Sequence, residues 1–254
     1  TLHLEAVAKA GKHCYAEKPL GIEIEALKRA VDAAKKANII IQVGTQQRTE
    51  PSNAGCQKLL ETKILGHLSR VEQVRNGAKP YWYNRIDPSV RKEDLDWDEF
   101  TNGVTDKPFD PLLYTGWYGY WEFCQGPVPQ WGSHYIDLVH YLTGLNIPET
   151  CNCHGGTHTW KDKYNFTTPD QVDAMWSYPE GTMVTYTTNF GNSSGNRTRL
   201  LGEKGTLELN RRGTAIYTAE GGINRDGSIR GQNEVEDIQR PDHFLNWFQA
   251  LRGK

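Results

Sequence analysis

Between Gln171 and Leu209 side chains of two kinds alternate with a period of two, and this stretch narrows the possible folds more than any other. Val172, Ala174, Trp176 and Tyr178 interleave with Gln171, Asp173, Met175 and Ser177. Successive side chains of a strand point to opposite faces, so this is a strand with one face buried and one wet. The turn Pro179-Glu180-Gly181-Thr182 leads into Met183 to Phe190, where Val184, Tyr186, Thr188 and Phe190 share a face. Arg197 to Leu201, the turn from Gly202 to Gly205, and Thr206 to Leu209 repeat the pattern as a second hairpin. Such strands in series predict an antiparallel sheet packed against helices.

The opening residues follow another rule. Leu2, Leu4, Ala6, Val7 and Ala10 read as a helix stopped by Gly11, and His13 to Ala16 as a short buried strand. Glu23 to Lys36 puts Ile24, Leu27, Val31 and Ala34 on one helical face, and the β-branched run Ile39 to Val43 ends at Gly44. Helix, strand, helix, strand is the order of a parallel α/β unit, here expected to be the tail of a larger doubly wound domain that begins upstream of Thr1. Further on, helices are expected over 51–62, 132–143 (closed by Gly144) and 241–252, and a strand over 68–75. From Asn76 to Gly126 periodicity disappears and aromatic residues crowd in, Tyr81-Trp82-Tyr83 among them. A structureless loop of that length lines a site or wraps a partner, and its aromatics suit either stacking on sugar rings or ordinary packing.

Charge narrows the function classes. The 29 basic and 31 acidic residues give a net charge of -2, with no basic tract for nucleic acid. No apolar run approaches the roughly 18 residues of a membrane span. Five scattered cysteines, Cys14, Cys56, Cys124, Cys151 and Cys153, suggest free thiols and a reducing, cytoplasmic setting, with a periplasmic or secreted one left open.

Three motifs carry candidate chemistry. In Glu17-Lys18-Pro19 the proline restricts Lys18 to extended or turn backbone, a fixed corner between strand and helix, where partial desolvation would let the amine serve as a proton donor. His134 and Asp137 lie three apart near a helix start, so an imidazole and a carboxylate project from roughly one side. Cys151-x-Cys153-His154 with His158 has a metal-like composition, but alternation along a strand would send Cys153 and His154 to opposite faces, and no metal site is assigned. Neither G-x-G-x-x-G nor a Walker-type phosphate loop occurs in the sequence.

Taken together, Ala10-Gly11-Lys12-His13-Cys14-Tyr15-Ala16-Glu17-Lys18-Pro19-Leu20, Val43-Gly44-Thr45-Gln46-Gln47-Arg48, Gln130-Trp131-Gly132-Ser133-His134-Tyr135-Ile136-Asp137, the two turns of the sheet, and His243 with Asn246 resemble the Gfo/Idh/MocA oxidoreductases. The resemblance implies the C-terminal part of a Rossmann domain over 1–47, lacking most of that domain, then a substrate-binding and oligomerisation α+β domain over 48–254 with a large, mostly antiparallel open sheet. It implies NAD or NADP as cofactor, a sugar or polyol as substrate, and a homo-oligomer, dimer or tetramer, formed through the sheet. By the same resemblance Lys18 and His134 are catalytic, Gln130, Trp131, Asp137 and Arg48 surround the substrate, and Glu17 and Pro19 face the nicotinamide. The family's usual aspartate four residues before the histidine is Gln130 here, an amide that hydrogen-bonds but takes up no proton. Two other readings stand beside it: a glycosidase using NAD for transient oxidation, and a non-catalytic oligomerisation module.

Overall fold

A computed structural model describes residues 1–210 and 213–253. Arg211, Arg212 and Lys254, where the expected second domain ends, lie outside the described residues. Helix α1 (Leu2–Lys9) turns at Gly11, whose φ of 63° suits a residue without Cβ, into strand β1 (Cys14–Ala16). Helix α2 (Ile24–Lys36) and strand β2 (Ile41–Val43) follow. The strands pair in parallel, Cys14 opposite Ile41 and Ala16 opposite Val43, while Leu4, Ala8, Ala30 and Ala34 are buried on the two helices.

Helix α3 (Pro51–Glu61) opens on a proline, whose missing N–H would find no partner in a first turn anyway, and strand β3 (Leu68–Val74) comes next. The segment expected as one long irregular loop instead holds 3-10 turns at 81–85, 92–94 and 117–119 and the short helices α4 (Trp97–Thr101), α5 (Pro111–Thr115) and α6 (Trp121–Cys124). Asp96 and Asp110 cap α4 and α5 by accepting from the Glu99 and Leu112 amides. These elements are too short to show a period. Their aromatics converge on a second core, where Trp82, Trp97, Tyr120, Phe166 and Phe190 are buried, so ordinary packing absorbs most of them. Gly119 is forced by that packing, since a Cβ there would stand 2.1 Å from the Phe166 ring.

A π-helical turn over Val128–Gly132 runs into α7 (Ser133–Thr143), which ends at Gly144 with φ 73°. Strands β4 (Thr150–Gly156), β5 (Gln171–Ser177), β6 (Met183–Asn189), β7 (Arg197–Gly202), β8 (Thr206–Asn210), β9 (Ala215–Thr218) and β10 (Gln232–Glu234) precede the last helix, α8 (His243–Leu251). With β3 they form an eight-stranded sheet in the order β10-β9-β8-β7-β3-β6-β5-β4. Only β3 and β6 run parallel; every other neighbouring pair is antiparallel. Val71, Val184, Leu200 and Leu207, each 0% exposed, face Cys56 of α3 and Leu138, Val139 and Leu142 of α7. The opposite face is polar: Glu72 and Glu208 flank Arg199, and Arg70 joins Glu72.

The end of the chain returns to its beginning. Gln42 Nε2 donates to the His243 carbonyl oxygen at 2.6 Å, and His243 Nε2–H donates to that of Val43 at 2.9 Å. The Tyr15 ring stands edge-on to Phe244 and Trp247 of α8. No helix among the described residues is long and apolar enough to cross a membrane.

Candidate functional site

Lys18 follows the carboxyl end of β1, with a cis peptide bond to Pro19. Its Nζ donates to the carbonyl oxygen of Gln130 at 2.6 Å, across 112 positions of sequence. That acceptor belongs to the π-helical turn, where Pro127 and Pro129 bring no N–H of their own, and it also receives the Ser133 hydroxyl at 2.8 Å. Burial lowers the pKa of the Lys18 ammonium, and nearby Glu17 opposes the shift. Glu17 and Pro19 are exposed on either side of Lys18; the Glu17 carboxylate lies so close to Gly44 that a Cβ there would approach it to 3.0 Å.

One turn further along, His134 is half-buried, with no hydrogen-bond partner for Nδ1. Its pKa falls to about 4: burial acts most, the Lys18 charge adds to it, and Asp137 pulls weakly the other way. The imidazole is therefore neutral at physiological pH. The carboxylate expected beside it is used elsewhere. Asp137 Oδ2 and Oδ1 accept from Arg48 Nε and Nη2 at 2.8 and 2.7 Å, a two-point clasp that raises the Arg48 pKa, and Arg48 also lies 5.6 Å above the Tyr141 ring. Arg48 and Asp137, expected separately around the substrate, thus satisfy each other and brace α7 against the turn at 46–49. They line a cavity of about 780 Å³ with Tyr141, Arg240, His243 and Asn246.

Gln130 is 7% exposed, and its side-chain amide lies against the Cys124 thiol. Trp131 stands 6.0 Å from the His134 ring, under the guanidinium of Arg75 at 4.7 Å. The Tyr81 ring meets Trp131 edge-on at 6.4 Å; its buried hydroxyl has no partner, and burial drives its pKa far up. Arg75 and Tyr81 escape sequence reading. Arg75 ends an ordinary strand, and Tyr81 is one aromatic among many. The signal that could have found Arg75 is a cation in step with Val71 and Gln73 on the buried, odd-numbered side of a half-buried strand.

Lys18, Gln130, Trp131 and His134 therefore meet at one place, Arg48 and Asp137 form a neighbouring clasp, and Glu17 and Pro19 border Lys18 on the solvent side. Cys151 and Cys153 are exposed on edge strand β4, and no three His, Cys, Asp or Glu side chains among the described residues gather as metal ligands. The amine-imidazole pair can hold an oxygen and receive a proton.

The chain is 23% identical over 249 residues to 2,7-anhydro-N-acetylneuraminate hydratase of Escherichia coli (strain K12), covering 96% of this chain and 58% of the hydratase. In structure it resembles the aldose-aldose oxidoreductase of Caulobacter crescentus, complexed with glycerol, with a TM-score of 0.69 at 19% identity over 100% of this chain and 66% of that one. The WlbA dehydrogenase of Bordetella pertussis, in complex with NADH and UDP-GlcNAcA, gives 0.65 at 21% identity over 99% and 64%. These identities establish a shared fold, and the chain spans about 58% of the hydratase's length. Residues 100–208, which take in Gln130, Trp131, His134 and Asp137 and supply Tyr120, Phe166 and Phe190 of the aromatic core and most of the sheet, match the GFO/IDH/MocA C-terminal domain.

Proposed function

We propose that this chain carries the reacting site of an NAD(P)-dependent oxidoreductase that moves a hydride between a sugar or cyclitol hydroxyl and the nicotinamide. The observation that carries the reading is the meeting of the Lys18 amine, held at 2.6 Å by Gln130, with the neutral, unpartnered imidazole of His134. In this reading residues 1–47 are the end of a Rossmann domain and 48–254 the substrate and assembly domain, with α8 docked back on the first. The parallel β1 and β2 support the Rossmann part. The place also fits the cofactor: Glu17 and Pro19 follow the carboxyl end of β1, the side of a parallel sheet where nucleotides bind, and would border the nicotinamide. NAD(P) supplies the acceptor or donor of the hydride.

The protein's own part is proton handling. Lys18 Nζ donates to the reacting oxygen and holds it, while His134 Nδ1 takes the hydroxyl proton as the carbonyl forms and returns it in reduction. Gln130 orients the substrate without exchanging charge. Because His134 must be neutral to accept, kcat/KM of the full-length protein should stay level as pH falls through 6.5 and drop with a midpoint near 4. A midpoint near 6.5 would place the working imidazole in water.

Gln130 in a carboxylate's usual place, together with the likeness to a hydratase, favours a second, redox-neutral reading in which the sugar is oxidised only transiently. Incubating the full-length protein with sugars and aryl glycosides separates the two: steady accumulation of NADH supports the dehydrogenase, and cleavage without net NADH supports the alternative. The polar outer sheet face, with its Glu72–Arg199–Glu208 row, is the surface we assign to self-association. Light scattering should give a dimer or tetramer that Arg199→Glu dissociates; a monomeric parent protein would remove this assignment. The five free thiols suit a reducing compartment.

A further inference from the structure

We propose that a cavity on the outer side of the aromatic core is a second saccharide site, separate from the reacting centre. In it Tyr83, Trp160 and Tyr164 form an apolar wall, and Lys79, Lys163 and Asp110 bond the hydroxyls of a neutral sugar ring.

Packing consumes most of the aromatic residues but not these three. Trp82 and Phe190 are each 1% exposed and Phe166 8%, whereas Tyr83, Trp160 and Tyr164 pack against that core and stay partly open to solvent. They line a cavity of about 620 Å³, to which the stretches around Pro88 and Pro111 also contribute. That is within the range of small-ligand clefts. None of Lys18, Gln130 and His134 lines it.

The wall is held in place before any ligand arrives. Trp160 Nε1–H donates to the Phe190 carbonyl oxygen and the Tyr83 hydroxyl to Asp162 Oδ2, both at 2.7 Å. Asp170 takes the amides of His158, Thr159 and Trp160, so the loop that carries the tryptophan is tied down as well. The Tyr83 and Trp160 rings meet at 53° with centroids 5.2 Å apart, and Tyr83 stands edge-on to Tyr164 at 5.8 Å. Rings fixed in this way offer an apolar surface to the C–H side of a pyranose, and a ligand spends little ordering them.

The polar groups at the wall are of both kinds. Lys79 Nζ lies 4.7 Å from the centre of the Tyr83 ring and 5.8 Å from that of Trp160, and Lys163 Nζ 5.2 Å from that of Tyr164. Among the described residues neither ammonium has an ion-pair or hydrogen-bond partner, so both keep their N–H donors. Asp110 spends Oδ1 on the Leu112 amide, which leaves Oδ2 to accept. A hydroxyl donates and accepts, so a polyol engages lysine and aspartate together. The lining holds two lysines and two aspartates, and this balance of charge suits a neutral ring. An apolar face with a rim of mixed donors and acceptors is the complement of a sugar.

The test is saturation-transfer NMR on the full-length protein without NAD(P), using cellotetraose, maltotetraose and diacetylchitobiose, with AMP as the aromatic, charged alternative. At least one saccharide should bind with a Kd of about 0.1–10 mM. Pro88→Trp fills the cavity from an exposed position and should weaken that binding by at least about tenfold at an unchanged melting temperature. Tyr83→Ala, which removes part of the wall, should do the same. Undiminished binding by either variant in folded form places the sugar elsewhere and overturns the proposal. So does the absence of binding by all three saccharides, or binding of AMP that none of them matches. The readout needs neither cofactor nor turnover, so the second site stands or falls apart from the oxidoreductase reading.

Discussion

Replacing Lys18 by alanine is expected to lower kcat/KM of the full-length protein by about a thousandfold, the scale of losing a charged donor at a reacting oxygen, while NAD(P) affinity changes by no more than a few fold. The split follows from where the amine is. Its Nζ reaches across to the Gln130 carbonyl and the neighbourhood of His134, whereas the groups proposed to border the nicotinamide are Glu17 and Pro19. Lys18→Arg should recover little, because a planar guanidinium cannot reproduce a compact ammonium at 2.6 Å from one carbonyl. Steady-state kinetics with a fluorescence titration of NADH would decide it. Turnover within tenfold of the parent protein would take Lys18 out of the chemistry. A parallel loss of cofactor affinity would make it a binding residue instead.

The second large effect concerns stability. Asp170 is 1% exposed and its carboxylate accepts from three consecutive backbone amides, those of His158, Thr159 and Trp160, at 2.9, 2.8 and 2.7 Å. Asp170→Ala would leave three buried N–H groups without partners, and at about 1–3 kcal/mol each the expected loss is roughly 3–9 kcal/mol, or a Tm lower by about 10 °C or more. Asp170→Asn, which keeps one acceptor oxygen, should fall between. The loop so tied down brings Trp160, Tyr164 and Phe166 onto the aromatic core, so the loss should appear together with increased protease cleavage in 157–168. A melting temperature within two or three degrees of the parent would mean the loop is held by its aromatics alone.

What was legible in the sequence was whatever repeats locally. The period-two runs from Gln171 to Leu209 became β5 to β8, and the helix expected at 51–62 became α3 within a residue. Insertion of β3 between β7 and β6, parallel to the latter, leaves no local trace, because pairing depends on strands more than a hundred residues apart. Strands β9 and β10 are too short to show alternation. The site was legible as separate residues and not as partnerships. Lys18 finds a backbone oxygen, which no side-chain pattern announces, and Asp137 finds Arg48 at a distance of 89 positions. His134 looked paired with Asp137 by spacing, but burial and Lys18 govern its charge. Asp170, holding more buried amides than any motif suggested, sat unnoticed next to a proline.

The π-helical turn over Val128–Gly132 has one more consequence. Such a turn accommodates one residue beyond the α-helical count, and removing a residue from an α-helix swings everything before it by about 100° around the axis. The angular register between the carbonyl that holds Lys18 and the imidazole on the next turn is therefore set by a single-residue surplus. A chain one residue shorter here would keep the same helix and the same sheet, yet offer Lys18 a different neighbour. Chemistry on this scaffold can be re-aimed by chain length, with no exchange of functional side chains.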